Sequence, residues 1–327
     1  MPISGPASYI STTDGFLGHW ETADTELGAG NEIVLPDGTN RAGLLAKRNL
    51  LEGLRNTVTT KLTDQELNRE EIEAKKTALL LRINQFNDAV RSDFAGTKWE
   101  RVLKDVPKMN DGQSTFVDPL VGSNHIWTRL IAAIHPAAPL VLLGGYTQAN
   151  FAADIAALNA AFPVWTESVN DSKFAREDRN DMQDVIYAIL LAYRKKVPTK
   201  FAAGHAVIDS LPRLTPEPGA TPQAVTINAG YNEAVQAAEV TFGGSPETNV
   251  VQFEGRAVVG PTHNSDDEVV VGNIPAGPGP FVFHTNFALS NPGNMISIKV
   301  YAINDTGNEK GSNAVAVTRP LAPVPIP

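Results

Sequence analysis

Two rhythms of apolar residues divide this chain. Between Ala42 and Leu62, the residues Leu44, Leu51, Leu54, Val58 and Leu62 recur at helical spacing and predict an amphipathic helix. Thr63 with Glu66 has the form of a capping box. It predicts a second helix to about Phe94, with Leu67, Leu79, Leu80, Ile83, Phe86, Val90 and Phe94 on its apolar side. With so little chain between them, the two helices are expected to form an antiparallel hairpin. Ser123 predicts the cap of a short helix ending at Ile134, and Thr147 the cap of another that Pro163 ends. A last long helix is predicted over 171–197, with Phe174, Met182, Val185, Ile186, Ile189, Leu190 and Tyr193 as its stripe, and a short one near His205 to Leu211. Residues 95–122 read as a long excursion anchored by Trp99 and Phe116. Residues 1–40 lack helical periodicity and read as an ordered N-terminal arm, with a short hairpin ending at Pro36-Asp37-Gly38.

Beyond residue 222 the period becomes two. Strands are predicted at 224–229, 237–242, 250–259, 268–271, 281–288, 296–303 and 312–318. The last two flank a polar, Gly-containing turn. Ile296, Ile298, Val300 and Val317 alternate with polar residues, which predicts a hairpin with one buried and one wet face. Seven short strands in about 100 residues is the number expected of an immunoglobulin-like β-sandwich. Between the two rhythms, Leu211 to Pro222 holds four prolines and reads as a semi-rigid linker. The expected organisation is therefore multidomain α plus β. An arm (1–40) precedes an antiparallel helical bundle (41–212), a Pro-rich linker (213–222), a seven-stranded sandwich (223–320) and a Pro-rich tail (321–327).

Composition narrows the class. The chain has 327 residues, 42% hydrophobic and 19% charged, which suits a folded globular protein of two domains. Its net charge of -9 disfavours a nucleic-acid partner. The basic spots Lys75-Lys76 and Arg194-Lys195-Lys196 read as solvated helix faces or helix ends. The absence of cysteine excludes disulfides and thiolate metal sites. The first residues carry no signal-peptide pattern, and the apolar run from Ala132 to Tyr146 is too short and broken to span a bilayer. A soluble protein without membrane insertion is expected, either cytoplasmic or exported by an unconventional route.

The segment VYAINDTGNEKGSNAVAVT resembles the end of a fibronectin type III domain. Val300, Ala302, Asn304, Gly307, Ser312, Asn313 and Val317 sit where that pattern places a short apolar piece, an Asn, a Gly turn and a Ser-Asn leading into the last strand. Phe242 takes the place of the second-strand Trp of the family, and Ile296 stands where the family carries a tyrosine. The segment from Val250 to Ala288 is rich in Gly and Pro and departs from the pattern. The resemblance covers about 100 residues and implies a sandwich fold. It implies no one function, because that fold hosts spacers, adhesins and carbohydrate-binding accessories. The order of helical part and sandwich looks like a type seen in bacterial proteins.

Candidate chemistry is sparse. His19, His125, His135, His205, His263 and His284 form no HxxxH, HxH or HExxH spacing. His19, beside Trp20 and Glu21, reads as a packed arm residue. His263, Asn264, Asp266, Asp267 and Glu268 offer oxygen ligands for a weak calcium site or form a wet acidic turn. Asp178, Asp181 and Asp184 share one side of a helix with Arg176 and Arg179, and read as a solvated, ion-paired face. Gly144-Gly145 reads as a tight turn, and no Gly-rich segment matches a nucleotide-binding fingerprint. No catalytic, cofactor or metal residue is assigned. The expected function is a non-enzymatic structural or interaction protein. It is expected to associate with copies of itself or another protein through its bundle surface, through Phe16 and Trp20 of the arm, and through Pro323, Pro325 and Pro327 of the tail. The alternatives are a glycan or cell-surface binding module, and an enzyme of unrecognised type with its site at the domain junction.

Overall fold

The computed structural model describes residues 2–134 and 139–321. Its helices are α1 (Tyr9–Leu27), α2 (Arg41–Asp93), α3 (Lys98–Arg101), α4 (Gln113–Ile134), α5 (Gln148–Lys196) and α6 (Ala206–Asp209). Eight strands follow: β1 (Ile227–Asn232), β2 (Ala237–Phe242), β3 (Val250–Val259), β4 (Val269–Pro275), β5 (Phe281–Thr285), β6 (Met295–Asn304), β7 (Glu309–Gly311) and β8 (Val315–Thr318). Two compact units result, Met1–Thr63 with Ser172–Pro327, and Asp64–Asp171. The division thus falls within α2 and α5. The proline-rich segment predicted as a linker belongs to the first unit. There Leu214 is buried and its carbonyl accepts from Ile3 N at 2.8 Å, while Glu217 N donates to Thr306 O at 3.2 Å.

Several predicted boundaries are not observed. The segment read as an arm without periodicity contains α1. Its Phe16, Leu17, Trp20 and Ala23 fall on one helical face, and that face is buried despite Gly15, Gly18 and four threonines. Packing overrides weak propensity here. The predicted hairpin of two helices is one helix of 53 residues, about 80 Å long at 1.5 Å per residue. Thr63 does not cap: its hydroxyl donates to Thr59 O at 2.9 Å, as Thr57, Thr59 and Thr60 donate to the carbonyls four residues before them. Likewise α4 begins at Gln113 rather than near Ser123 and contains Pro119, and α5 runs through Pro163. A proline removes one rung of the helix. The buried side chains on both sides of each proline, Phe116 and Leu120 in α4 and Phe162 and Ser168 in α5, hold the turn in place.

The second unit is built on α2, α4 and α5. Leu79, Ile83, Phe86 and Val90 meet Phe116, Leu120, Trp127 and Leu130, and Phe151, Ile155, Leu158 and Phe162 complete the core. Phe86 stacks on Trp127 with ring centroids 4.9 Å apart. Gly144 and Gly145, both at positive φ, form the turn between the bridged residues Leu142 and Tyr146. Thr147 and Asn150 then cap α5 reciprocally.

In the first unit, α1 packs on α2 and α5 through Phe16, Trp20, Leu44, Leu51, Ile186, Leu190 and Tyr193. Its strands form two antiparallel sheets, β1-β2-β5 and β4-β3-β6-β7, with β8 also paired to β6. One core takes Ile227, Ala238, Val240 and Phe242 from the first sheet, and Phe253, Ala257, Ile296, Ile298, Val300 and Ala302 from the second. Phe242 occupies the middle of it, 5.2 Å from the Phe253 ring and 5.3 Å from that of Phe281. The observed architecture is α plus β, with the helices first and antiparallel sheets last.

Candidate functional site

The predicted wet face of the larger sheet is buried in part: Ala316 and Thr318 on β8 are exposed, but the face is covered at β3. On β3, alternation sends Phe253, Gly255 and Ala257 toward the core and Glu254, Arg256 and Val258 to the opposite side, where each of these three is 2% exposed. On β6, Ser297 is buried on that side, and Tyr301 lies directly across from Glu254. On β7, Glu309 is the partner of Ile303. A strand pattern that alternates apolar with charged residues looks like a wet face. Here Arg55 on α2 and Arg176 and Arg179 on α5 cover it, all within the first unit.

Arg256 is the hub of this seam. Its Nε donates to Glu254 Oε1 at 2.5 Å, Nη1 to Glu268 Oε2 at 3.3 Å and Glu309 Oε1 at 2.9 Å, and Nη2 to Glu309 Oε2 at 2.5 Å. Its guanidinium carbon lies 4.1 Å from the Tyr301 ring centroid. Glu268 also accepts from the Tyr301 hydroxyl, and its Oε1 lies 2.6 Å from His263 Nε2. Asp267 receives α5: Arg176 grips it with Nε and Nη2 at 2.9 and 2.7 Å, and Arg179 Nη1 donates to it at 3.2 Å and to Asp266 O at 2.6 Å. From α2, Arg55 donates to Glu268 O at 2.7 Å and to Ala7 O at 3.2 Å. Four arginines thus face four carboxylates.

Burial acts on several of these charges. Desolvation draws Arg55 down to about 10, helped by the positive charges of Arg179 and Arg256. Burial opposes the charge on Arg256 most strongly, yet Glu309 and Glu254 together hold it above its ordinary value. Desolvation pushes Glu254 above the ordinary carboxylate range, against the pull of Arg256. It also acts on Glu268, where the bonds from His263 and Tyr301 and the charge of Arg256 outweigh it and bring the group below that range. Burial and Glu268 raise Tyr301. Beside the seam lies a cleft of about 280 Å³, and Asp14, Glu52, Arg55 and Glu254 line it. Arg48 binds both Asp14 and Glu52, and in the same cleft wall burial raises the affinity of Glu254 for a proton.

Two of the predicted interaction residues lie in the interior. Phe16 and Trp20 are fully buried in their own chain, Trp20 stacked on Tyr193 with centroids 4.3 Å apart. They form core rather than a contact surface for another chain. His19 is packed as predicted: its Nε2 donates to Val207 O at 2.8 Å, so its Nδ1 accepts from the Tyr193 hydroxyl at 2.7 Å. Pro323, Pro325 and Pro327 lie outside the described residues. The turn at 263–268 is wet only in part: Asn264, Ser265 and Asp266 are exposed, whereas Asp267 and Glu268 are buried and held by arginines. Asp178, Asp181 and Asp184 are exposed, but Arg176 and Arg179 turn away from them to Asp267. Among the described residues, no group of three or more His, Cys, Asp or Glu is placed to hold a metal, and no helix is long and apolar enough to cross a membrane.

Sequence reasoning missed Arg55, Glu254, Arg256 and Glu309. Glu254 and Arg256 did leave a trace, as opposite charges two residues apart in an otherwise apolar strand.

No family profile matches this chain, and no curated protein matches it. Pectate lyase PelI from Erwinia chrysanthemi, solved with tetragalacturonic acid, is 19% identical over 29% of this chain and 28% of that one, with a TM-score of 0.24. The chain thus spans less than a third of that enzyme's length. A Fn3-like protein from Clostridium thermocellum is 14% identical, with 32% of this chain covering 100% of that one, at a TM-score of 0.24. Likenesses of this extent assign no activity.

Proposed function

We propose that this chain is a non-enzymatic structural protein that associates with further copies of itself, and that its two sheets form a sandwich of the fibronectin type III kind. The observation that supports this is the seam. Its charged groups are bonded across elements of the same chain, from β3 to β7 and from α2 and α5 to the 263–268 turn. Groups arranged in that way fasten helices to a sheet. Association then falls to apolar side chains left on the surface, such as Phe174 on α5 at 59% exposure and Leu143 beside the Gly144-Gly145 turn at 80%. Light scattering on the purified chain over a range of concentrations tests this. Growth of the mass with concentration, reversed by Phe174→Asp or Leu143→Asp, supports the reading, and a monomer at every concentration overturns it.

A second reading rests on Glu254. A carboxylate that holds its proton above the ordinary range, in the wall of a cleft, is suited to general acid chemistry at the helix–sheet junction. A screen of glycosides and esters against the wild type and Glu254→Gln tests it. Turnover abolished by the substitution favours an enzyme over a scaffold.

A further inference from the structure

We propose that the second unit binds a small carboxylate with an apolar body, in a cleft between α2, residues 109–113 and α5, with the Lys76 ammonium as its counter-charge. The cleft has a volume of about 500 Å³. Lys76 read from the sequence as a solvated residue, but it is 8% exposed. Its Nζ donates to Met109 O at 3.1 Å and to Asp111 O at 2.8 Å. It lies 4.8 Å from the Phe116 ring centroid and 6.0 Å from that of Phe162. Among the described residues it has no carboxylate partner. Its neighbour Lys75 differs, reaching Glu71 at 3.3 Å on the helix surface. A buried ammonium held only by carbonyls and ring faces carries an uncompensated charge, and that arrangement is costly unless an anion completes it.

Other groups around the cleft leave single N–H donors unpaired, although the Arg69 guanidinium is itself paired with Glu66 and Glu73. Gly112 and Gln113 line it at the start of the 22-residue α4, where the first backbone N–H groups have no acceptor in the preceding turn. Arg69 and Trp165 line it too, and Arg69 Nε and Trp165 Nε1 are buried without a hydrogen-bond partner. Ile72, Met109 and Phe162 give the rest of the wall apolar side chains, and Asn110, Asp111 and Thr166 give it polar ones. Glu73 stands on the same wall, 3.6 Å from Arg69, and disfavours a multiply charged phosphate. One ammonium, spare N–H donors and the apolar side chains of Ile72 and Phe162 match a monoanion carrying an aliphatic or aromatic group.

The test titrates the full chain with hexanoate and benzoate, and in parallel with hexanamide and benzamide, by calorimetry or ligand-observed NMR. Saturable binding of the acids, at least tenfold tighter than of the amides, is expected. Lys76→Met keeps the unbranched stem and removes the charge, and is expected to weaken acid binding at least tenfold. Glu73→Gln removes the competing negative charge and is expected to tighten it severalfold. Equal binding of acid and amide overturns the proposal. So does unchanged binding by Lys76→Met, or no saturation by about 10 mM acid. If Lys76→Met does not fold, the acid–amide pair and Glu73→Gln decide. Hexanoate bound without benzoate, or the reverse, keeps the site and defines its shape.

Discussion

Arg179 on α5 and Asp267 before β4 form an ion pair at 3.2 Å, with side chains 4% and 3% exposed. Residues 88 apart in the sequence thereby fix a helix against the turn at the sheet's margin. Removing one partner of such a pair leaves the other charge buried. Asp267→Asn is expected to lower unfolding free energy by about 3–5 kcal/mol. The double substitution Arg179→Met with Asp267→Leu is expected to recover most of it. Urea unfolding followed by circular dichroism measures both, and equal losses in the single and double variants count against the pair.

The carboxylates of the seam predict an asymmetric response to pH. Glu268 lies below its ordinary value in the fold, so its contribution is complete above the unfolded value near 4.3 and is lost as pH falls through the folded value. Glu254 is raised, so folding favours its protonated form, and ionising it as pH climbs through and above the ordinary range costs stability. Glu268→Gln is therefore expected to flatten the acid limb of the stability curve, and Glu254→Gln to flatten a decline that sets in above the unfolded carboxylate value. Denaturation midpoints between about pH 2 and 8 check this. Identical curves for the three proteins would refute it.

Gly255 and Gly272 face each other across β3 and β4, both beneath the Phe283 ring. A Cβ at Gly255 would stand 2.5 Å from Phe283 Cζ. Gly255→Ala is expected to destabilise by about 1–3 kcal/mol through overpacking. In a Phe283→Leu background, where the ring is gone, the same change is expected to have a smaller effect. Thermal melts of the four proteins in the cycle give the coupling.

Trp20 supplies a distinction between core and interface. Fully buried beside Phe16 and Tyr193, it is expected to lose about 3–5 kcal/mol on substitution by Ala, with the oligomeric mass unchanged. A changed mass at unchanged stability would instead make α1 an exchanged element.

Local pattern carried much of the β region. The predicted strands at 237–242 and 250–259 coincide with β2 and β3, because turn residues bound each of them. The Ile296 to Val317 pairing was also legible, since alternation placed both residues on one face. The helices were cut too short. Thr63 and Pro163 are local stop signals, and side-chain burial on both sides overrode them. The seam was least legible. Arg55 reaches Glu268 across 213 residues and Arg176 reaches Asp267 across 91, so no window of sequence holds both partners. Lys76 was hidden for the same reason, because the carbonyls that hold it come from residues 33 and 35 positions away.

Fastening a sheet to helices with charges rather than grease makes the joint reversible in water. If a cut at the proline-rich stretch let the strands drift away, guanidinium and carboxylate groups would meet solvent instead of a sticky apolar plane.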